Sequence, residues 1–278
     1  MEELIVTKAG GEQVVFSVEK LRQSLRNAGA SEEVIDSVID EVLPKLHSGI
    51  STRKIYRMAF TKLKNRSKHL ASRYKLKRAI MELGPDGFVF EHFVSALLTR
   101  KGYETKVGIV LQGKCISHEI DVIAKSAKQT ILVECKYHSQ PGKISDVKIP
   151  LYIRSRFEDV SSNKIQYPEL QETLLSCLIV TNTRFSPDAM TYARCIGLDL
   201  LGWDYPYGNG IKDWIDELHM YPITCLSTLT NREKESLLKQ NVLFCEDLIE
   251  QAHQLEIGNY SNSRIKNILD EAQKLTFG

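Results

Sequence analysis

Apolar positions along the chain change their spacing at two places. Leu4 to Lys8 and Gln13 to Phe16 read as short strands around Ala9, Gly10 and Gly11, which predicts a hairpin. Apolar residues then recur at helical spacing: Leu21, Leu25 and Ala28 after a Ser17 cap, and Val34 to Val42 after Ser31. A third helix is expected from Ser51 or Thr52 and a fourth over Leu70 to Leu83, ending at Gly84, Pro85, Asp86 and Gly87. The next helix, Phe88 to Arg100, stops at Gly102. Tyr103, Thr105, Val107, Ile109 and Leu111 then alternate as a strand, with two more around Ile116 to Ala124 and Thr130 to Tyr137. A helix from about Ser145, a buried strand Leu178 to Val180, a helix opened by Ser186 and Pro187 and a short strand Leu198 to Leu201 complete this part. From about Ile223 only short helices are expected, with breaks at Gln240 and Asn241 and at Gly258 and Asn259.

This order predicts an α/β (α+β) multidomain protein. Residues 1–85 form a mostly helical domain with a small hairpin, 86–222 a mixed sheet flanked by helices, and 223–278 a small helical bundle. At 278 residues the chain has room for more than one core. No apolar run is long enough to span a bilayer, so no membrane association and a cytoplasmic location are expected. The six cysteines are scattered without zinc-site spacing, which predicts reduced thiols, mostly buried. The net charge of +2 hides an asymmetry: 1–85 carries 16 Lys/Arg against 10 Asp/Glu, and 86–222 carries 15 against 17. Eleven basic residues and no acid lie between Arg53 and Arg78, which favours an anionic partner, a nucleic acid or a nucleotide.

Candidate chemistry concentrates in the middle segment. Glu134 and Lys136 end an apolar strand, and strand alternation puts both on one face with Cys135 on the other. An isolated pair of this kind is usually a structural ion pair, but the preceding strand carries Asp121, which antiparallel pairing can bring beside Glu134. Two close carboxylates repel unless a cation lies between them, and hard oxygen donors without His or Cys side chains suit Mg²⁺. Glu91 borders the apolar face of its helix and can reach the same sheet edge. Glu119 shares the Asp121 face by alternation, as an outer metal contact or a solvated carboxylate, and His138 reads as a loop residue.

Glu91, Asp121, Glu134-x-Lys136 and the later Thr181-Asn182-Thr183-Arg184-Phe185-Ser186 resemble the Mrr-like restriction endonucleases of the PD-(D/E)XK superfamily over residues 86 to 205. Ile120 stands where the superfamily has its Pro, and Glu134 where many Mrr-like members have Gln. The resemblance implies that Asp121, Glu134 and the carbonyl of Cys135 hold Mg²⁺, that Lys136 orients the attacking water, and that Glu91 supports the group. It also implies DNA as substrate, and cleavage of both strands with one site per chain would favour a homodimer.

Val6-x-Lys8, Gly11, Phe16, Lys20-Leu21, Ser24-Leu25, Ile50-Ser51-Thr52-x-x-Ile55 and Ala71-x-x-Tyr74 are similar to the ATP-cone, a regulatory nucleotide-binding module. By that likeness Val6, Lys8, Lys20 and Thr52 line a site for ATP or dATP, although Ala9 and Gly10 replace the usual Arg-Asp. No Walker-type motif is present. The last segment resembles helix-hairpin-helix or SAM-like domains, with 6 basic against 8 acidic residues. These features describe an ATP-responsive, Mg²⁺-dependent DNA endonuclease of the restriction or defence type. The alternatives are a non-catalytic nucleotide sensor that binds DNA on a nuclease scaffold, and a nuclease that acts on RNA or branched DNA.

Overall fold

The computed structural model describes residues 4–8, 11–85, 87–140, 142–163, 166–167, 174–253, 255 and 260–277. The expected turn at Ala9 and Gly10, Asp86 and the break at Gly258 and Asn259 lie outside them. The chain divides into two compact units, one of residues 1–80 with 221–278 and the other of 81–220.

The first unit opens with the hairpin β1 (Ile5–Thr7) and β2 (Gln13–Val15), paired antiparallel with Val6 opposite Val14. Helices α1 (Val18–Asn27), α2 (Glu32–Val42) and α3 (Thr52–Arg66) follow. Ser17, Ser31 and Ser51 each accept a hydrogen bond from the third residue beyond, which satisfies an amide the first turn leaves open. Leu25, Ile35, Val38, Ile55, Ala59 and Leu63 face inward from the three helices as one core. The expected helix Leu70 to Leu83 is two pieces, α4 (Lys68–Tyr74) and α5 (Leu76–Ile80), divided at Lys75. The Lys75 ammonium donates to the Thr224 carbonyl at 2.9 Å.

The second unit is built on a five-stranded mixed sheet. Helix α6 (Phe88–Arg100) precedes the antiparallel strands β3 (Glu104–Gln112), β4 (Ser117–Lys125) and β5 (Gln129–Lys136). A two-residue strand β6 (Ile144–Ser145) leads into α7 (Lys148–Ser162), which begins three residues later than expected. Strand β7 (Leu174–Thr181) then pairs parallel with β5. The short β8 (Arg184–Phe185) pairs with β6, a two-stranded ribbon too brief to show as periodicity. Helix α8 (Pro187–Ile196), capped by Ser186, leads to β9 (Asp199–Leu201) at the sheet's far edge, giving the order β3-β4-β5-β7-β9. Helix α9 (Ile211–Leu218) was not apparent from the pattern. Phe90, Phe93, Val94 and Leu97 bury the inner face of α6, while Ile153 of α7 and Ala189 and Ala193 of α8 pack with Cys177 and Ile179 of β7.

At Tyr221 the chain returns to the first unit, adding α10 (Asn231–Lys239), α11 (Cys245–Glu250) and α12 (Asn262–Phe277). The fully buried Glu271 of α12 accepts hydrogen bonds from the Ser72 hydroxyl at 2.6 Å and from the Ser227 and Thr228 amides at 2.9 Å each. Burial alone would raise its pKa, but these donors outweigh it and hold the carboxyl below its ordinary range. Four of the six cysteines are buried, and all six are free. No helix among the described residues is long and apolar enough to cross a membrane.

Candidate active site

The β4–β5 ladder runs from Lys125 opposite Thr130 to Val122 opposite Val133. One residue further, the same register sets Asp121 opposite Glu134, and there the ladder ends. The Asp121 carboxylate itself accepts the Cys135 N–H at 2.7 Å. On the other side of β4, the register sets Asp121 opposite Gly108, the one strand residue of β3 with a left-handed φ, +66°. Both neighbouring strands thus depart from regular pairing at Asp121.

Glu134 is 7% exposed although it bears a carboxylate. Its Oε1 accepts the Lys136 ammonium and its Oε2 the Arg156 guanidinium, at 2.6 Å for the latter. A buried carboxylate flanked by two hydrogen-bonded cations is compensated, where an unpaired one would not be. Asp121 lacks such a cation, and its pKa is raised, first by burial and then by the Glu134 charge. A positive ion between the two carboxylates relieves both effects.

In an extended strand the N–H and C=O of one residue point the same way, so the Cys135 carbonyl lies on the Asp121 side. The Lys136 carbonyl points to β7, where the Thr181 hydroxyl donates to it at 2.8 Å. Among the described residues no three His, Cys, Asp or Glu side chains are grouped to hold a metal. Two carboxylates and a backbone carbonyl nevertheless suit Mg²⁺, which keeps several waters and takes few protein ligands.

Buried polar groups hold the exit of β5. Asn182, fully buried, accepts the His138 N–H at 2.9 Å and donates to the His138 carbonyl at 2.8 Å. Ser145 hydrogen-bonds the His138 ring at 3.2 Å. The ring's pKa is lowered, by burial first and then by Lys143 and Lys136. The Tyr137 hydroxyl donates to the Met81 carbonyl at 2.7 Å. Thr181 and Asn182, singled out in the sequence, therefore fix the backbone that carries Lys136.

The structure brings Asp121, Glu134, Cys135 and Lys136 together. Glu91 sits in the first turn of α6, close enough for its charge to help raise the Cys135 thiol pKa, after burial and Asp121. Glu119 is exposed, and it is its backbone carbonyl that meets the site, by accepting from Arg156. His118 is turned to Asp159 of α7, at 2.8 Å. The residue that sequence reading missed is Arg156. Only its place on α7, three residues beyond the buried Ile153, sets it apart from a solvated helix cation.

In the first unit Val6 is buried in the core, and Lys8 pairs with Glu12 at 2.9 Å. Thr7 bridges to Ser51, so Val6 and Lys8 flank a residue that touches the start of α3, where Thr52 is first. Lys20 is exposed in the first turn of α1. The basic run is less bare than its sequence suggests: Lys62 and Arg66 both pair with Glu41 of α2, and Lys64 and Lys75 donate to carbonyls of Ser227 and Thr224. Counter-charge comes from outside the run, which a linear count cannot register.

The match of one segment to a known family identifies a restriction-endonuclease-type domain in this sheet-and-helix unit. Residues 84–150 match the Mrr_cat family model, described as a restriction endonuclease, and residues 221–276 match the model AF1548-like, C-terminal. An uncharacterized protein of Archaeoglobus fulgidus is 33% identical over 184 residues, 66% of this chain and 99% of its own length. The crystal structure of the protein of unknown function AF1548 is similar with a TM-score of 0.56 at 31% identity, covering 69% of this chain and 98% of that one. The chain belongs to the AF1548-like family.

Proposed function

We propose that the protein is a Mg²⁺-dependent DNA endonuclease of the restriction type, regulated by ATP or dATP bound to its N-terminal segment. The observation that carries the nuclease reading is the meeting of Asp121 and Glu134 where the β4–β5 ladder ends, with the Lys136 ammonium on Glu134. Asp121, Glu134 and the Cys135 carbonyl would hold the metal, which supplies Lewis-acid activation of the attacking water and the scissile phosphate. Lys136, its backbone fixed by Thr181, orients that water and stabilises charge developing at phosphorus. Glu91 keeps the α6 side of the group acidic.

The nucleotide reading is supported by the adjacency of β1 to the Ser51-capped start of α3, where open amides and nearby lysines favour phosphate. Cleavage of plasmid DNA tests the first reading: Asp121→Asn and Lys136→Ala should each cut at least about a hundredfold more slowly than the wild type in Mg²⁺. Equal rates would remove these residues from the site. Parallel substrates of RNA and branched DNA separate the substrate classes. Calorimetric ATP binding that survives the Lys8→Ala/Lys20→Ala double substitution would overturn the nucleotide site.

A further inference from the structure

Glu134 has two carboxylate oxygens, and in the free protein both are taken. Lys136 holds one as part of the strand motif; Arg156, which belongs to no motif, holds the other at 2.6 Å. The second arm of the Arg156 fork donates to the Glu119 carbonyl, and its guanidinium lies 5.5 Å from the centre of the Tyr152 ring. The side chains of Arg156 and Glu134 are only 15% and 9% exposed, so solvent screens the pair weakly. A divalent cation that uses Glu134 therefore meets a cation already seated there. With Arg156 counted, Asp121, Glu134, Lys136 and Arg156 sum to zero formal charge and only Glu91 leaves the group negative, so Arg156 halves the net negative charge that would attract a metal ion. A small cavity of about 20 Å³ adjoins the pair, lined by Ile120, Leu132, Phe157 and Cys177 beside Glu134 and Arg156. That is room for about one water.

We propose that Arg156 is a positioning residue that couples metal loading to DNA binding. It holds Glu134 Oε2 in the free protein and passes to a backbone phosphate when the metal takes that oxygen. The guanidinium fork matches phosphate as well as it matches a carboxylate, so the exchange keeps its hydrogen bonds. By linkage, DNA tightens metal binding and metal tightens DNA binding by the same factor. The free protein then carries little metal, and the site assembles on DNA. This inference rests on the nuclease reading above.

The test is the sign of a change in metal affinity. Mn²⁺ binding to the full chain, without DNA, is measured by electron paramagnetic resonance for wild type, Arg156→Gln and Arg156→Lys. Removing the competing cation should tighten Mn²⁺ binding by about tenfold in Arg156→Gln, while the KM for DNA in Mg²⁺-dependent cleavage rises. Arg156→Lys keeps the charge but cannot span Glu134 and the Glu119 carbonyl, so its Mn²⁺ affinity should fall between the two. A bridge that merely holds Glu134 in shape predicts weaker Mn²⁺ binding on its removal. Unchanged or weaker binding in both variants overturns the proposal, and if Arg156→Gln does not fold, Arg156→Lys decides alone. A wild type that cuts DNA while neither variant binds Mn²⁺ more tightly sinks this inference and leaves the nuclease reading standing. A wild type that neither cuts nor binds Mn²⁺ sinks both.

Discussion

Asp159 gathers three donors at the tip of the β3–β4 hairpin: the His118 ring at 2.8 Å, the Cys115 amide at 2.9 Å and the Ile116 amide at 3.2 Å. The His118 hydrogen bond first, and the two amides with it, bring the Asp159 pKa down to about 2. A depressed carboxylate contributes stability that is complete above its unfolded pKa, near 4, and is lost as the pH falls towards 2. Asp159→Asn should therefore lower the melting temperature at pH 7 and flatten the acid loss of stability between pH 4 and 2, as read by circular dichroism. Neither His118 nor Asp159 announces the other in the sequence, being 41 positions apart on a strand and a helix. Asp121, Glu134 and Lys136 were legible because alternation fixes which face a strand residue takes. Arg156 was not, since helix periodicity says which face is buried but not which carboxylate waits there.

At the scale of elements, the loop after β3 depends on a glycine. A Cβ at Gly113 would collide with the Asp159 carboxylate and lie 2.8 Å from the Ile116 carbonyl oxygen. Gly113→Ala should cost about 1–3 kcal/mol in urea unfolding by forcing the hairpin tip off α7. The strands β3 and β4 and the helices α1 to α3 followed their hydrophobic period, because one buried face leaves a strong imprint on sequence, while β5, buried on both faces, showed as an apolar run instead. The division of α4 from α5 at Lys75 did not, because its partner is a carbonyl at Thr224. The β6–β8 ribbon escaped for a different reason: two residues hold less than one full alternation.

At the scale of the whole molecule, the first unit joins the two ends of the chain. The Lys75 and Lys234 ammoniums both donate to the Thr224 carbonyl, the Thr224 hydroxyl to the Ala79 carbonyl, and Glu271 receives Ser72 together with two backbone amides. Residues 1–80 keep their own apolar core but lose these bonds when expressed alone, and should melt at a lower temperature than the same unit in the full chain, whereas 81–220 should melt unchanged, by differential scanning calorimetry. In the full chain, Glu271→Ala strips buried donors of their acceptor and should destabilise the first unit by about 3 kcal/mol, measured by thermal unfolding. Apolar periodicity marks where a helix buries a stripe, but not that segments separated by residues 81–220 meet in one compact unit through buried hydrogen bonds.

That discontinuity sets an order on synthesis. The ribosome delivers residues 1–80 first, then the nuclease unit, and only afterwards the segment from Tyr221 onward that completes the first unit. At roughly 5–20 residues per second, the N-terminal helices wait about ten seconds or more for their C-terminal partner. The sheet bearing Asp121, Glu134 and Lys136, contiguous in sequence, meets no such delay. On the nuclease reading, cutting chemistry is thus assembled on the nascent chain before the unit proposed to govern it is complete, and a chain that stalled or was clipped near residue 220 would be a nuclease whose N-terminal segment lacks its C-terminal partner.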